Sequence, residues 1–371
     1  MNRSAIAIFL SLGAVGTFAQ EPPKELLPYY QPPAEYVGKL GNYRSPLLFD
    51  DGRKVQTAAQ WQQRRGEILK YWHQQMGAWP APLTRPTMEV LSTEKQDGIT
   101  WQKIRLQTAP ERLVDDAWLL TPPGKGPFPA VVVVFYEANT AVGRGKSEFR
   151  DYAIQLAKRG FVALSLGGDP NTYYPTKETC TIQPLSFHAY EASNCRRFLA
   201  NLPHVDAKRI GVVGHSYGGK WAMFAACLDE EFACGAWSDP GIVFDESRSN
   251  VNYWEPWYLG FDRKLPMQRS RGIPNEKNLR TGPYRTMMEQ KRDLHELHAL
   301  MAPRPMFVSG GAEDPPARWE ALNHTVQVNE LLGAKYRVAM TNRKLHSPDA
   351  EANRLLYAFF EHTLGNKDKS E

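Results

Sequence analysis

The sequence predicts an α/β fold in which a mostly parallel central sheet carries helices on both faces. After residue 130, apolar segments of strand length alternate with amphipathic segments of helix length. The run 130–136 is wholly apolar, as expected for a central strand that is buried on both sides. Between about residues 240 and 300 this alternation stops, and a stretch rich in aromatic residues and arginine predicts an insertion between strands six and seven.

The individual elements follow from the spacing of apolar residues. A helix is expected at 56–75, where tryptophan and aliphatic residues recur at helical intervals. Two alternating segments, 100–108 and 113–121, predict a pair of antiparallel strands before the central one. The other expected strands are 161–166, 210–213, 232–237, 305–310 and 336–341, and the other expected helices are 149–158, 186–202, 220–226, 319–332 and 350–364.

The first nineteen residues have the pattern of a secretory signal. A positive charge near the start precedes the apolar run 5–15, and 17–19 is a small-x-small cleavage pattern. The apolar run is too short to cross a bilayer comfortably. The sequence therefore predicts a secreted or periplasmic protein without a membrane anchor once the signal is removed. The expected parts are the signal (1–19), an N-terminal extension with a helix packed on the domain (20–97) and one large domain (98–371).

Composition limits the classes of partner. The chain has 371 residues, 42% of them apolar, and a net charge of +5 that is spread without a basic block. This balance does not favour nucleic acid, but it is compatible with an anionic small substrate. The four cysteines, at 180, 195, 227 and 234, show no C-x-x-C spacing, so no metal and no cofactor is expected. Pairing and burial as free thiols both stay open for them.

The residues 209–220, R-I-G-V-V-G-H-S-Y-G-G-K, contain the motif G-x-S-x-G. An apolar strand pattern precedes the motif and an apolar helix pattern follows it. In this context the motif is typical of the nucleophile elbow of the α/β-hydrolase fold, in which the serine stands on a sharp strand-to-helix turn. We expect Ser216 to be a nucleophile; a glycine-rich turn without catalytic function is the alternative.

A serine hydroxyl needs a base, and the base needs an acid to orient it. In this fold the three residues follow in the order Ser, acid, His. His346 follows the last expected strand and is the expected base. Asp314 follows the strand before it and is the preferred acid, with Asp239, after an earlier strand, as the alternative.

An oxyanion hole needs two N–H donors aimed at one point. The backbone N–H of Tyr217, directly after the nucleophile, is the first expected donor. The second is expected in the loop after the valine-rich strand, from Glu137 or Ala138.

Substrate contacts are expected from the insertion and from the elements near the elbow. Trp254 and Trp257 could stack on a sugar, or they could pack the insertion onto the domain. Trp319 and Lys220 are the further candidates for binding substrate.

Several stretches resemble the glucuronoyl esterase family of carbohydrate esterases. They are the segment 49–55 (F-D-D-G-R-K-V), the tryptophan and arginines of the helix after it, the aromatic segment 252–257 and the segment 297–305. The spacing from Ser216 to Lys220 is also similar to that in the family's elbow, G-C-S-R-x-G-K. Tyr217 stands where the family has an arginine that assists the oxyanion, and His215 stands where it has cysteine. The chain is also similar to acetylxylan-esterase-like hydrolases.

This resemblance implies an esterase that acts on a carboxylic ester of a plant cell-wall sugar. It implies that Lys220 contacts sugar hydroxyls, and that the acid can lie at the position of Asp239. A structural ion pair is the alternative for Lys220.

Together these observations predict a secreted serine esterase of carbohydrate-linked esters, either uronate or acetyl esters, that works through an acyl-enzyme. The alternatives are a serine peptidase of the prolyl-oligopeptidase type, for which this length leaves no room for a propeller domain, and a non-catalytic sugar-binding relative. The expected partner is a small-molecule or polysaccharide ester.

Overall fold

The computed structural model describes residues 21–145 and 148–365. The expected secretory signal, 1–19, lies outside these residues. No helix in the described ranges is both long and apolar enough to cross a membrane.

One sheet of nine strands forms the centre of the described chain, in the order β1-β2-β3-β5-β4-β6-β7-β8-β9. The pairs β1–β2, β2–β3 and β3–β5 are antiparallel, and the remaining five pairs are all parallel. The strands are β1 (Met88–Gln96), β2 (Ile99–Ala109), β3 (Arg112–Thr121), β4 (Phe128–Phe135), β5 (Val162–Gly167), β6 (Val205–His215), β7 (Cys234–Ser238), β8 (Met306–Gly310) and β9 (Val338–Asn342). The predicted fold class, a mostly parallel α/β-hydrolase sheet, is confirmed.

Helices cover both faces of the sheet. They are α1 (Ala58–Met76), α2 (Ala138–Ala141), α3 (Tyr152–Ala157), α4 (Pro170–Tyr173), α5 (Pro184–Ala200), α6 (Tyr217–Leu228), α7 (Gly282–Glu289), α8 (Leu294–Ala299), α9 (Trp319–Leu331) and α10 (Ala350–Leu364). Short 3-10 helices lie at Leu27–Tyr30, Ala34–Tyr36 and Pro316–Arg318.

The valine-rich strand β4 shows how the core divides. Val132 and Val134 pack into one apolar cluster with α1, α5, α6 and α9. Val131 and Val133 point to the opposite face and pack with α3 and α10. Successive side chains of a strand alternate between faces, so a run without polar residues requires a cover on each side.

The N-terminal extension shares the sheet. The expected boundary at residues 97 and 98 falls inside the β1–β2 hairpin, where Gln96 is paired with Ile99. Sequence reasoning missed β1 because this edge strand is largely polar and exposed, so it carries no apolar periodicity. The helix of the extension, α1, has Trp61, Ile68 and Trp72 fully buried in the main apolar cluster.

The insertion follows β7 and ends at β8. These are the sixth and seventh strands when β1 is left out of the count, as it was in the sequence-based prediction. Two helices, α7 and α8, lie in it. Buried ion pairs and aromatic side chains fix it, including Arg269 with Glu255 at 3.3 Å. The four cysteines are buried free thiols, which resolves the two alternatives left open for them.

Candidate active site

Ser216 lies on a strained turn between β6 and α6. Its backbone angles are φ 55° and ψ −115°, a conformation that non-glycine residues rarely adopt. A Cβ on Gly214 would lie 2.1 Å from the carbonyl oxygen of Gly218, and a Cβ on Gly218 would lie 2.1 Å from that of Val134. Both glycines of the motif are therefore required by steric exclusion. The Ser216 N–H donates to the carbonyl of Ser238 at 2.8 Å, which holds the turn against β7.

Three side chains form a hydrogen-bonded relay. The Oγ of Ser216 lies 2.9 Å from Nε2 of His346, and Nδ1 of His346 lies 2.7 Å from Oδ2 of Asp239. A carboxylate only accepts, so Nδ1 carries a proton and Nε2 is left to accept the serine proton. The Asp239 side chain is fully buried, whereas that of His346 is 27% exposed and can be reached from solvent.

The preference for Asp314 as the acid is wrong for this geometry, because the alternative, Asp239, contacts the histidine. Asp314 instead accepts the backbone N–H groups of Gly241 at 2.9 Å and Ile242 at 2.6 Å. Its own N–H donates to Oδ1 of Asp239 at 2.9 Å. Asp314 therefore shapes the loop that carries the acid.

The two aspartates form a buried carboxylate pair with unequal surroundings. Burial and the negative charge of Asp239 raise the pKa of Asp314 to about 6. Asp239 accepts the N–H of Glu313 at 3.1 Å as well as that of Asp314, in addition to its bond with His346. These contacts fix the position of the Asp239 carboxylate that orients the imidazole.

Sequence reasoning missed Arg343, which fixes the loop of His346. Its guanidinium donates to the carbonyl of His346, to the Ser238 hydroxyl at 3.2 Å and to the Ser309 carbonyl at 2.8 Å. One side chain thus ties this loop to the ends of β7 and β8. An arginine three residues before a histidine has no recognisable pattern, so the sequence gives no signal for it.

His215 lies beside the relay. Its ring centre is 4.8 Å from that of His346, and its Nδ1 lies 3.0 Å from the Ser238 hydroxyl. Burial and the neighbouring His346 lower the pKa of His215 well below its usual value. A neutral ring therefore packs on the base.

Of the expected oxyanion donors, Tyr217 is the first residue of α6, and first-turn N–H groups have no partner within their own helix. The Ala138 N–H is already bound to the carboxylate of Asp116 at 3.0 Å, so the expectation that it serves the oxyanion is wrong. Glu137 is the N-cap of α2 and its role stays a prediction.

Aromatic rings form a wall next to the nucleophile. Tyr136, which directly follows β4, stacks on Tyr217 with 4.7 Å between ring centres. Tyr173 lies 5.4 Å from Tyr217 and 5.9 Å from Trp257. Tyr136 is 43% exposed, so the wall can be reached from outside. Of the three expected tryptophans, only Trp257 belongs to it.

The other two tryptophans lie in the core, against expectation. Trp254 is fully buried, its Nε1 donates to Glu255 at 3.2 Å, and its ring packs on Tyr284. Trp319 begins α9 and is 2% exposed. Neither can stack on a sugar, because neither ring is accessible from solvent.

Lys220 does not face a substrate either. Its side chain is 2% exposed, and Nζ donates to the carbonyls of Pro240 at 2.6 Å and Asn250 at 3.0 Å. Nζ also lies 4.9 Å from the ring centre of Tyr253. Burial lowers the pKa of this lysine to about 8. Lys220 thus joins α6 to the insertion, which corrects the expectation that it contacts sugar hydroxyls.

Replacing Lys220 by methionine should therefore change stability more than substrate selection. Two buried carbonyls would lose their donor, and we expect the free energy of unfolding to fall by about 2–4 kcal/mol. KM values for a uronate ester and for a simple acetate ester should change by the same factor. Denaturant melts and the two KM values check this, with the exposed Lys264→Met as control. A rise confined to the uronate ester would restore Lys220 as a sugar ligand.

Comparison with known proteins is consistent with this geometry. The dienelactone hydrolase family matches residues 116–238, and the prolyl oligopeptidase family matches residues 189–367. The acyl-coenzyme A amino acid N-acyltransferase 2 of Rattus norvegicus is 34% identical over 128 residues, which are 34% of this chain and 28% of that protein. The chain thus matches less than a third of the length of that curated relative.

Solved structures match over most of the chain. A glucuronoyl esterase from Solibacter usitatus is 18% identical, with a TM-score of 0.68 over 87% of this chain and 98% of that one. A promiscuous CE15 esterase from a marine bacterial metagenome is also 18% identical, with a TM-score of 0.65 over 87% and 97% of the two chains. The chain therefore has the α/β-hydrolase fold and is similar in architecture to carbohydrate esterases.

Proposed function

We propose that this protein is a secreted serine esterase that hydrolyses carboxylic esters on carbohydrates, namely uronate or acetyl esters of cell-wall polysaccharide, through an acyl-enzyme. The observation that carries the proposal is the relay from Ser216 through His346 to Asp239. Such a relay converts a weak hydroxyl into a nucleophile at neutral pH.

In the first half of the reaction, Ser216 Oγ attacks the ester carbonyl while its proton passes to Nε2 of His346. The buried carboxylate of Asp239 stabilises the imidazolium that forms. The Tyr217 N–H, at the start of α6, donates to the oxyanion, and the positive end of the helix dipole points the same way. His346 then gives its proton to the leaving oxygen, the carbon–oxygen bond breaks, and the alcohol departs.

In the second half, water attacks the acyl-enzyme. His346 takes a proton from this water and returns it to Ser216 Oγ as the acid is released. The His346 side chain is 27% exposed, so its ring can be approached from solvent.

Two observations support a carbohydrate substrate. Tyr136, Tyr173 and Trp257 form a partly exposed aromatic wall on the side of Tyr217, and flat rings of this kind suit the apolar face of a sugar. The structures with similar architecture include a glucuronoyl esterase and a CE15 esterase. The export of the protein rests on the signal pattern of residues 1–19.

A panel of esters tests the proposal. Acetylated xylo-oligosaccharides, a methyl glucuronate ester and a feruloylated sugar would be compared with ethyl acetate, each with wild type and with Ser216→Ala as a control for contaminating esterases. We expect at least one sugar ester to have a kcat/KM about tenfold or more above that of ethyl acetate. Turnover of ethyl acetate alone would contradict the carbohydrate assignment.

A serine peptidase is the second candidate, because the prolyl oligopeptidase family matches residues 189–367. The same relay could cleave an amide. Proline-linked nitroanilides added to the panel separate the two candidates: release of nitroaniline without turnover of any ester would favour the peptidase.

A further inference from the structure

We propose that the cavity beside His346 is a leaving-group subsite, and that Arg150 in this cavity selects esters whose alcohol carries a carboxylate. The inference rests on the proposed esterase function and adds to it the class of alcohol that is released.

The cavity lies between two loops at the carboxyl edge of the sheet. It has a volume of about 880 Å³, and its lining includes Phe149, Arg150, Lys344, Leu345 and Ser347. The last three flank the histidine of the relay in sequence. The loop that carries the base therefore forms one side of the cavity, and none of Tyr136, Tyr173 and Trp257 lines it.

The chemistry of the relay places the alcohol on this side. The proton that His346 takes from Ser216 must pass from Nε2 to the leaving oxygen, so that oxygen has to come within hydrogen-bond distance of Nε2. The acyl carbon stays on Ser216 Oγ, and the oxyanion faces the N–H of Tyr217. We infer that the alcohol extends past His346, toward the loop whose residues line the cavity.

Arg150 brings a positive charge to this cavity. Its Nη2 donates to the Ser347 hydroxyl at 3.1 Å, and its buried Nε has no hydrogen-bond partner within residues 21–145 and 148–365. Among the residues that the structure describes, it forms no ion pair. An arginine with a desolvated, unsatisfied donor is costly unless a ligand completes its hydrogen bonds. Its planar fork matches a carboxylate.

The charge of Arg150 acts on two side chains that lie beside the reacting groups. Burial lowers the pKa of His215, and His346 and Arg150 add to this effect. Burial raises the pKa of Tyr136, and Arg150 opposes that rise. Two carboxylates, Glu148 and Asp349, also line the cavity, but neither forms an ion pair with Arg150, and Asp349 accepts the N–H of Ala352 at the start of α10.

Two apolar side chains are exposed in the same cavity. Leu345 is 67% exposed and Phe149 is 41% exposed. Phe149 has a φ of 59°, which is unfavourable for an aromatic residue, and its carbonyl accepts a hydrogen bond from Asn353 at 2.8 Å that holds the backbone there. These side chains provide contact for the carbon skeleton of an alcohol, and Arg150 for its charge.

Two matched esters of one acid test the subsite: the benzyl ester and the 4-carboxybenzyl ester of the sugar acid or acetate that wild type hydrolyses best. We expect wild type to have the higher kcat/KM for the charged ester, with a preference that falls as salt is added. Arg150→Gln should lower kcat/KM for the charged ester about tenfold more than for the neutral one. The control is Arg285→Gln, which removes an exposed charge on α7 and should keep the preference.

Inhibition by the free alcohols gives a second measurement that does not depend on the folding of the variant. 4-(Hydroxymethyl)benzoate should inhibit wild type competitively and more strongly than benzyl alcohol. Equal turnover of both esters by wild type, or an equal loss of both in Arg150→Gln, would overturn the subsite and leave the esterase assignment intact. If wild type hydrolyses no ester, or Ser216→Ala hydrolyses them equally well, the proposed function fails and the subsite fails with it.

Discussion

Replacement of either Ser216 or His346 by alanine is expected to lower kcat for ester hydrolysis by about 10⁴- to 10⁶-fold. The 2.9 Å contact between Oγ and Nε2 makes the two side chains one chemical unit, since the hydroxyl attacks only while the imidazole removes its proton. Steady-state kinetics on the best ester of the panel measures the loss. Circular dichroism and thermal melts should show an unchanged fold, because neither change empties the core.

The double variant separates this mechanism from two independent contributions. If the residues act as one unit, Ser216→Ala with His346→Ala should be hardly slower than either single variant. Ser270→Ala, which removes an exposed serine hydroxyl in the insertion, serves as control and should keep wild-type kcat. If the loss of kcat in the double variant equals the product of the two single losses, the two residues act independently. Full activity of Ser216→Ala would show that this serine is not the nucleophile.

The elbow could be predicted from the sequence because its requirements are local. Gly214 and Gly218 are determined by atoms a few residues away or on the neighbouring strand, and the strand and helix patterns around them are short-range signals. The base was also predictable, because the end of the last strand has to reach the same sheet edge as the elbow. These features depend on chain order and periodicity, which a single sequence contains.

Side-chain surroundings depend on contacts between distant segments, and there the prediction was less successful. Trp254, Trp319 and Lys220 are of residue types that often contact sugars, yet all three are buried. Arg343 and Tyr136 carry no motif, although one fixes the loop of the base and the other flanks the nucleophile. A lysine or tryptophan on a helix gives no information about which distant loop will cover it.

The choice between the two aspartates also depended on contacts between distant segments. Their asparagine variants should differ widely in kcat. Asp239 and Asp314 follow the neighbouring strands β7 and β8, so either could reach the base from its place in the chain. Asp239→Asn should lower kcat by about 10³- to 10⁴-fold, because an amide can face Nδ1 with its N–H₂ and stabilise the wrong tautomer of His346. Asp314 does not contact the histidine, so Asp314→Asn should lower kcat by about tenfold or less.

Asp314→Asn should instead lower the free energy of unfolding. The pH dependence of that free energy provides the control. The amide would leave a backbone N–H of Gly241 or Ile242 without a full acceptor, at a cost of about 1–3 kcal/mol. The raised pKa of Asp314 means that the folded state binds this proton more tightly than the unfolded state. Its contribution is therefore greatest below pH 3.8 and is lost as the pH rises to about 6, a trend that the variant should lack in pH-dependent denaturant melts. If Asp314→Asn loses more activity than Asp239→Asn, the acid assignment must be reversed. Only a carboxylate in direct contact with His346 is expected to affect the chemical step more strongly than the stability of the fold.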